Sequence, residues 1–347
     1  MTAPIVAVDA MGGDYGPRCI VPACITALKA HPSLKLILVG QSAVLEKILS
    51  HYSLADKQRL SVVDASECIA MDELPSQVIR GKTNSSMRVA VQLVKEAKAD
   101  AIVSAGNTGA LMALSRLELG TFEGIHRPAI ITALPTEQGR SYMLDLGANV
   151  DCSADNLVQF ALMGVAALEA EGLSSPKVAL LNIGTENIKG TQAVKAADEL
   201  LQRMPSVNYI GYIEGDGLFR GEADLIVCDG FVGNAILKSA EGMVQMIGGQ
   251  VREQLGRGLR ALLMKWLSIP VWRALSKTLK PAQYNGACLL GLNGVVIKSH
   301  GSATHEAFEY AIEAAVNAAQ RNVYERMQER LAFLLAECDH SGASIIQ

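Results

Sequence analysis

The chain has 347 residues, 50% of them hydrophobic and 19% charged, with a net charge of −4. That composition supplies a sizeable core, excludes a disordered chain, and gives no global basic charge for nucleic acid. The seven cysteines form no C-x-x-C pair and read as reduced, buried thiols of a cytoplasmic protein rather than a disulfide framework. Positions 1–4 carry no basic leader signal, and no apolar stretch reaches the ~20 uninterrupted residues a spanning helix needs, so a soluble protein is expected.

Apolar runs alternate with helical periodicity, which predicts an α/β fold: a mostly parallel sheet with helices on both faces. Ile5–Asp9 reads as a strand ending in Gly12-Gly13-Asp14, and Pro17–Ala30 as a helix opened by proline. A strand over 36–39 and a helix over Ser42–Leu49 follow. The spacing of Met87, Val91 and Val94 predicts a helix over 85–98, capped by Asn84 or Ser85. Ala101–Ser104 is a strand before Gly106-Asn107-Thr108-Gly109, where Asn107 or Thr108 opens a helix to about Leu119. The run 142–145 ends in Gly147-Ala148-Asn149, and Ser153 caps a helix over 153–169 with Asp155 in its first turn, where a negative charge suits the helix dipole. Residues 178–182 lead into Gly184-Thr185-Glu186, 190–203 is a helix, and 207–213 and 225–228 are strands, the last before Asp229-Gly230. A helix over 233–254, the strand Val295–Lys298 before Ser299-His300-Gly301, and one long terminal helix over 304–338 complete the chain. The expected organisation is a single catalytic unit over 1–347, softly divided into two lobes around a central crevice, with 250–280 standing apart.

In open α/β sheets ligands bind beyond the carboxyl ends of the strands, where helix N-termini offer free N–H groups to anions. One such glycine turn means no more than a tight β-to-α connection. Turns at Gly12-Gly13, 106–109, Gly184-Thr185 and 230–234, taken at the same end of a parallel sheet, predict one crevice for an anion and a carbonyl. Gly81-Lys82-Thr83 lacks the earlier glycine of a P-loop, since position 76 is Ser76. No G-x-G-x-x-G fingerprint follows a strand and no G-x-S-x-G elbow exists, while His300 and His305 lack metal-ligand spacing. Basic residues near candidate anion sites are Arg80, Lys82, Arg127, Lys189, Lys238 and Lys298, each otherwise an ordinary solvated cation. Lys238 lies one helical turn after Asn234, so both can face the same way. Cys228, inside an apolar strand without an adjacent histidine, reads as an inert core thiol.

From 250 to 280 the chain is basic, with Arg252, Arg257, Arg260, Lys265, Arg273, Lys277 and Lys280 against one acid, Glu253. Val251, Leu255, Leu259, Leu262, Trp266 and Leu267 make an apolar stripe, and Pro270 divides the stretch. The stripe suits core packing or a second subunit as well as a membrane. The charge excess favours an acidic surface, for which anionic lipid and an acidic carrier protein both qualify.

The runs Asp9-Ala10-Met11-Gly12-Gly13-Asp14, Arg80-x-Lys82-x-x-Ser85-Ser86-Met87 and 104–110 resemble those of a known family. So do Leu144-Asp145-Leu146-Gly147-Ala148-Asn149, 181–186, 228–234, Gly286 with 289–294, and Ser299-His300-Gly301-Ser302. Collinear over about 5–320, they resemble the bacterial phosphate acyltransferases (acyl carrier protein:phosphate acyltransferase, PlsX type). The resemblance implies a fold akin to the isocitrate/isopropylmalate dehydrogenases and phosphotransacetylase, a homodimer, and peripheral association with the inner face of the cell membrane. It also implies a reaction: acyl carrier protein thioester plus phosphate gives acyl phosphate and free carrier, feeding glycerol-3-phosphate acylation in phospholipid synthesis. No cofactor and no metal are expected.

The site roles follow from chemistry rather than from the resemblance. Phosphate is already an anion and needs alignment, worth ~7–11 kcal/mol in favourable cases, more than a strong base. Ser85, Ser86, Asn107, Thr108 and Lys189 are assigned to phosphate; Asn234, Lys238 and His300 to the carbonyl or the leaving thiolate. Arg257, Arg260, Leu263, Lys265, Trp266 and Arg273 are assigned to membrane or carrier contact. Two rivals are a metal- and nicotinamide-dependent dehydrogenase on the same fold, which needs a cluster of aspartates, and a non-enzymatic lipid-surface scaffold.

Overall fold

A computed structural model describes residues 3–186, 188–254, 281–320 and 323–340. Its strands are β1 (Ile5–Asp9), β2 (Lys35–Gly40), β3 (Leu60–Asp64), β4 (Ala101–Ser104), β5 (Ala129–Thr136), β6 (Gly139–Leu144), β7 (Val178–Leu181), β8 (Tyr209–Ile213), β9 (Leu225–Val227), β10 (Ala287–Leu290) and β11 (Val295–Lys298). Its helices are α1 (Pro17–Ala30), α2 (Ser42–Leu49), α3 (Leu54–Lys57), α4 (Pro75–Gly81), α5 (Ser86–Lys95), α6 (Thr108–Leu119), α7 (Ala154–Glu171), α8 (Gln192–Leu201), α9 (Gly230–Gln254), α10 (His305–Gln320) and α11 (Val323–His340). The anticipated caps hold their helices: Ser85 accepts from the Arg88 N–H, Asn107 from Ala110, and Ser153 forms a capping box with Asn156.

All described strands join one sheet in the order β3-β2-β1-β4-β11-β10-β5-β6-β9-β7-β8. Pairing is parallel except at β11–β10, β10–β5 and β5–β6. Three reversals in succession leave β6, β9, β7 and β8 running opposite to β1, β4 and β11. The turns expected at one end therefore emerge at two. Those after Asp9, Ser104 and Lys298 point one way, and those after Leu144, Leu181 and Val227 the other. The sequence pattern shows where a strand ends, not which way it points. The β5–β6 hairpin and β10 that impose the reversal have no strong signature of their own.

Alternation along each strand divides the core between the two faces. On one face, Val8, Val103 and Ile297 pack under α1, α2 and α10, while Leu144, Val178 and Val227 pack under α7, α8 and α11. On the other, Ala7, Ile102, Val296 and Met143 form one cluster with Met87 of α5 and Leu111 of α6, and Ile236 and Leu237 of α9 pack against it. This second face is where the two halves of the molecule meet. Within the pattern expected over 304–338, the described residues form α10 and α11. Phe308, Ala311 and Ile312 of α10 fill the core of the first half, and Leu331 and Leu334 of α11 that of the second. The residues Arg257, Arg260, Leu263, Lys265, Trp266 and Arg273, and 255–280 as a whole, lie outside the described residues.

Candidate active site

Three parallel strands end side by side, and their last residues are in register: Asp9 opposite Ser104, and Ser104 opposite Lys298. Side chains in register on neighbouring strands share a face, so an acid, an alcohol and a base form one row on the face where the halves meet. All three are buried. Asp9 accepts from the Ser86 hydroxyl at 2.6 Å and the Ser104 hydroxyl at 2.7 Å, and the Gly106 N–H donates to Ser104 Oγ at 3.1 Å. Burial raises the Asp9 carboxyl above its ordinary value, against the pull of those hydroxyls and of Lys298. Burial lowers the Lys298 ammonium to about 8, with Asp9 opposing and Lys238 assisting.

The loops beyond this row lock together. The Asp14 N–H donates to Gly301 O at 2.9 Å, and the Ser299 N–H to Ser104 O at 2.8 Å. A Cβ on Gly12 would lie 2.7 Å from Asp9 Oδ2 and 2.8 Å from the Gly106 nitrogen, so only glycine lets these backbones approach. Asn107, besides capping α6, donates at 2.9 Å to both Met71 O and Glu73 O, which fixes the loop before α4 against it. Thr108 follows at the first helical position, half-buried.

The second half contributes α9. Lys238 Nζ lies 2.9 Å from His300 Nε2 and 2.8 Å from Glu241 Oε2. On the other side of the ring, His300 Nδ1 accepts the Ser302 backbone N–H at 3.2 Å and lies 2.9 Å from Ser302 Oγ. Asn285 Oδ1 accepts the His300 backbone N–H at 2.8 Å. Burial holds the His300 imidazole below its ordinary value, and Lys238 pushes the same way, so the ring is neutral at neutral pH. One turn earlier, exposed Asn234 stands over Gly147, whose added Cβ would lie 3.4 Å from Asn234 Cβ. At the foot of α9, Asp145 is buried among four donors: Ile130, Ala148 and Asn149 N–H groups and the Asn149 amide.

The structure thus brings Lys238 to His300, and the Lys298 row to Ser86 and to the 106–107 turn that opens α6. Ser85 and Ser86 are buried, their hydroxyls taken by Lys82 O and Asp9 respectively, so they position the loop rather than present free hydroxyls. Lys189 is apart from this group: exposed, it pairs with Glu186 at 2.9 Å, which raises its ammonium, with Glu214 adding to the effect. Of the other cations, Lys82 bonds Cys68 O and Arg127 bonds Asp151 O. Burial holds the Cys228 thiol well above its ordinary value. Among the described residues no group of three His, Cys, Asp or Glu side chains could hold a metal ion. Sequence reasoning missed Asp9, Ser104 and Asp145 as site residues. The available signal was a lone polar residue closing an otherwise apolar strand.

A family model described as "Fatty acid synthesis protein" matches residues 5–326, and the chain belongs to that family. A protein named phosphate acyltransferase from Pseudomonas aeruginosa is 56% identical over 96% of this chain and 100% of its own length. Another of that name from Pseudomonas fluorescens is 54% identical over 97% of this chain and 100% of its own. The fold is shared with a phosphotransacetylase from Streptococcus pyogenes, at TM-score 0.61 and 19% identity over 92% of this chain and 94% of that one. A 4-hydroxythreonine-4-phosphate dehydrogenase from Klebsiella pneumoniae shares it at TM-score 0.54 and 15% identity, over 92% and 99%. The α/β expectation, a mostly parallel sheet with helices on both faces, agrees with these likenesses.

Proposed function

We propose that this chain transfers an acyl group from the thioester of acyl carrier protein to inorganic phosphate, giving acyl phosphate and the free carrier thiol. A phosphate oxygen attacks the thioester carbonyl carbon, the C–S bond breaks, and the sulfur leaves as thiolate. The observation that carries this is the Lys238–His300 contact, which joins α9 to the end of β11 beside the buried Lys298 row. In that geometry the Lys238 ammonium, held by Glu241 and His300, can give its proton to the departing sulfur. Asn234, one turn away on the same helix, can donate to the carbonyl oxygen as charge builds there, at about 3–4 kcal/mol for such a donor. Phosphate would sit between the N-termini of α5 and α6, whose position Ser85, Ser86, Asn107 and Thr108 fix. Lys189, in its ion pair with Glu186, is given no step.

Phosphate acyltransferase is the name of relatives that match nearly the whole chain, and the matching family is described by fatty acid synthesis, which supports an acyl carrier as donor. No described helix is long and apolar enough to cross a membrane. A homodimer and peripheral contact with anionic membrane, through the basic stretch over 250–280, complete the proposal. Met243, Met246 and Ile247 on the described part of α9 are exposed apolar side chains leading into that stretch, as a contact surface requires. The deciding test is loss of acyl carrier thioester with and without inorganic phosphate. Loss that depends on phosphate and yields acyl phosphate supports the proposal; loss independent of phosphate ends it.

A further inference from the structure

We infer that Lys298 is a direct ligand of the inorganic phosphate, with Asp9 as the counter-charge that keeps the lysine in place. The inference deepens the acyl-transfer proposal and rests on it for the identity of the anion. Lys298 closes a strand buried along its length, and the row below it on the same face, Ala7, Ile102 and Val296, is wholly apolar. An ammonium taken out of water at such a place is costly unless its donors are met. It has three donors, and among the described residues its hydrogen bond goes to the carbonyl of its own neighbour, Ser299. Asp9 acts on it through charge: among the described residues no hydrogen bond or ion pair joins the two. Its two oxygens are engaged by the Ser86 and Ser104 hydroxyls, and its strand lies two strand spacings away, roughly 10 Å between backbones.

An anion would meet the remaining donors and offset the charge that burial makes costly. Lys238 bears on Lys298 from α9, and both act on the His300 imidazole. Two cations stand here against Asp9 and Asp14, while Glu241 pairs with Lys238. A neutral thioester carbonyl needs no second cation. A small multivalent oxyanion with several acceptor oxygens does, and it fits a point-charge ammonium fixed at the floor of the site. Ser104 ties this floor to the rim: its hydroxyl donates to Asp9 and accepts from Gly106, the residue before the α6 cap. One hydrogen-bonded unit thus sets both the ammonium and the adjacent helix N-terminus.

The test is Lys298→Met and Lys298→Arg in the full chain, with KM measured separately for phosphate and for the acyl carrier thioester. Binding of inorganic phosphate alone, without acyl donor, is followed by titration calorimetry. Lys298→Met should raise the phosphate KM by about tenfold to a hundredfold, while the thioester KM moves less than about twofold; Lys298→Arg should recover part of the loss. An unchanged phosphate KM in Lys298→Met, or an equal loss in both variants, overturns the inference. If Lys298→Met does not fold, the unmodified protein decides. Phosphate affinity should fall as pH rises through about 8, where Lys298 loses its proton among Asp9, Asp14, Lys238 and His300; affinity flat across that range overturns it. Phosphate binding lost in Lys298→Met, in a protein that consumes no thioester, would sustain this site and refute the acyl-transfer proposal. Phosphate-dependent thioester loss with an unchanged phosphate KM in that variant would do the reverse.

Discussion

Asp9 and Asp145 occupy matching places in the two halves of the molecule. Each lies at the carboxyl end of a strand, is buried, and has its carboxyl raised by burial. Each also has a glycine pressed against it, Gly12 over Asp9 and Gly230 over Asp145, with prospective Cβ distances of 2.7 and 2.8 Å to a carboxylate oxygen. They differ in what they hold. Asp9 is bound mainly by hydroxyls and faces a lysine, whereas Asp145 is bound by backbone N–H groups and one amide. A hydroxyl can rotate and exchange donor for acceptor; a backbone N–H cannot. The same residue in the same place therefore tunes charge in the first half and staples a loop in the second.

Substitution should separate the two roles. The largest effect is expected from Gly233→Ala, whose Cβ would fall on the Asp145 carbonyl oxygen. Displacing the first turn of α9 should cost roughly 3 kcal/mol or more, read as a fall in the urea midpoint. Asp145→Asn comes next. Each carboxylate oxygen accepts two donors, so whichever way the amide turns, its NH2 meets donors, at about 2–3 kcal/mol. Asp9→Asn should cost less than half as much, because Ser86 and Ser104 can turn to accept, yet it should weaken phosphate binding. Equal losses of stability in the two variants would erase the distinction.

Asn234→Ala should lower turnover well over tenfold with an unchanged denaturation curve; unchanged turnover would remove Asn234 from the site. Lys298 then gives stability and binding opposite responses to pH. Its folded value of about 8 lies below its ordinary 10.5, so between those values the unfolded chain holds the extra proton and this group's contribution to stability rises with pH. Its contribution to phosphate binding falls over the same range. Denaturation midpoints of the unmodified protein and Lys298→Met, compared from pH 7 to 10, should diverge in that sense. The smallest change is expected from Ser153→Ala, a cap on α7 in the second half: about 1 kcal/mol of stability and no change in turnover.

Much of this was legible in residue order. The strands Ile5–Asp9, Ala101–Ser104 and Val295–Lys298 stand where their apolar runs place them, as do the caps Ser85, Asn107 and Ser153. What local pattern cannot carry is direction and partnership. Nothing in 129–144 announces a hairpin that turns half the sheet around. Nor does Lys298 reveal that it aligns with Ser104 and Asp9, nearly the whole chain away, because register is settled by strand neighbours and not by spacing. Lys238 and His300 could be chosen as chemistry, but their meeting depends on α9 crossing to the other half. The last helical pattern likewise serves two cores, α10 the first and α11 the second, which periodicity alone does not show.

The late return of β11 bears on how the molecule is made. β4, with Asp9 beside it on β1, is synthesised early but has an open edge until a strand from the last sixth of the chain arrives. On the ribosome, the half that lies first in the message must therefore wait for residues near the far end of the chain. An unfinished chain would hold Asp9 without its lysine, and it could form neither the phosphate seat nor the bridge to α9.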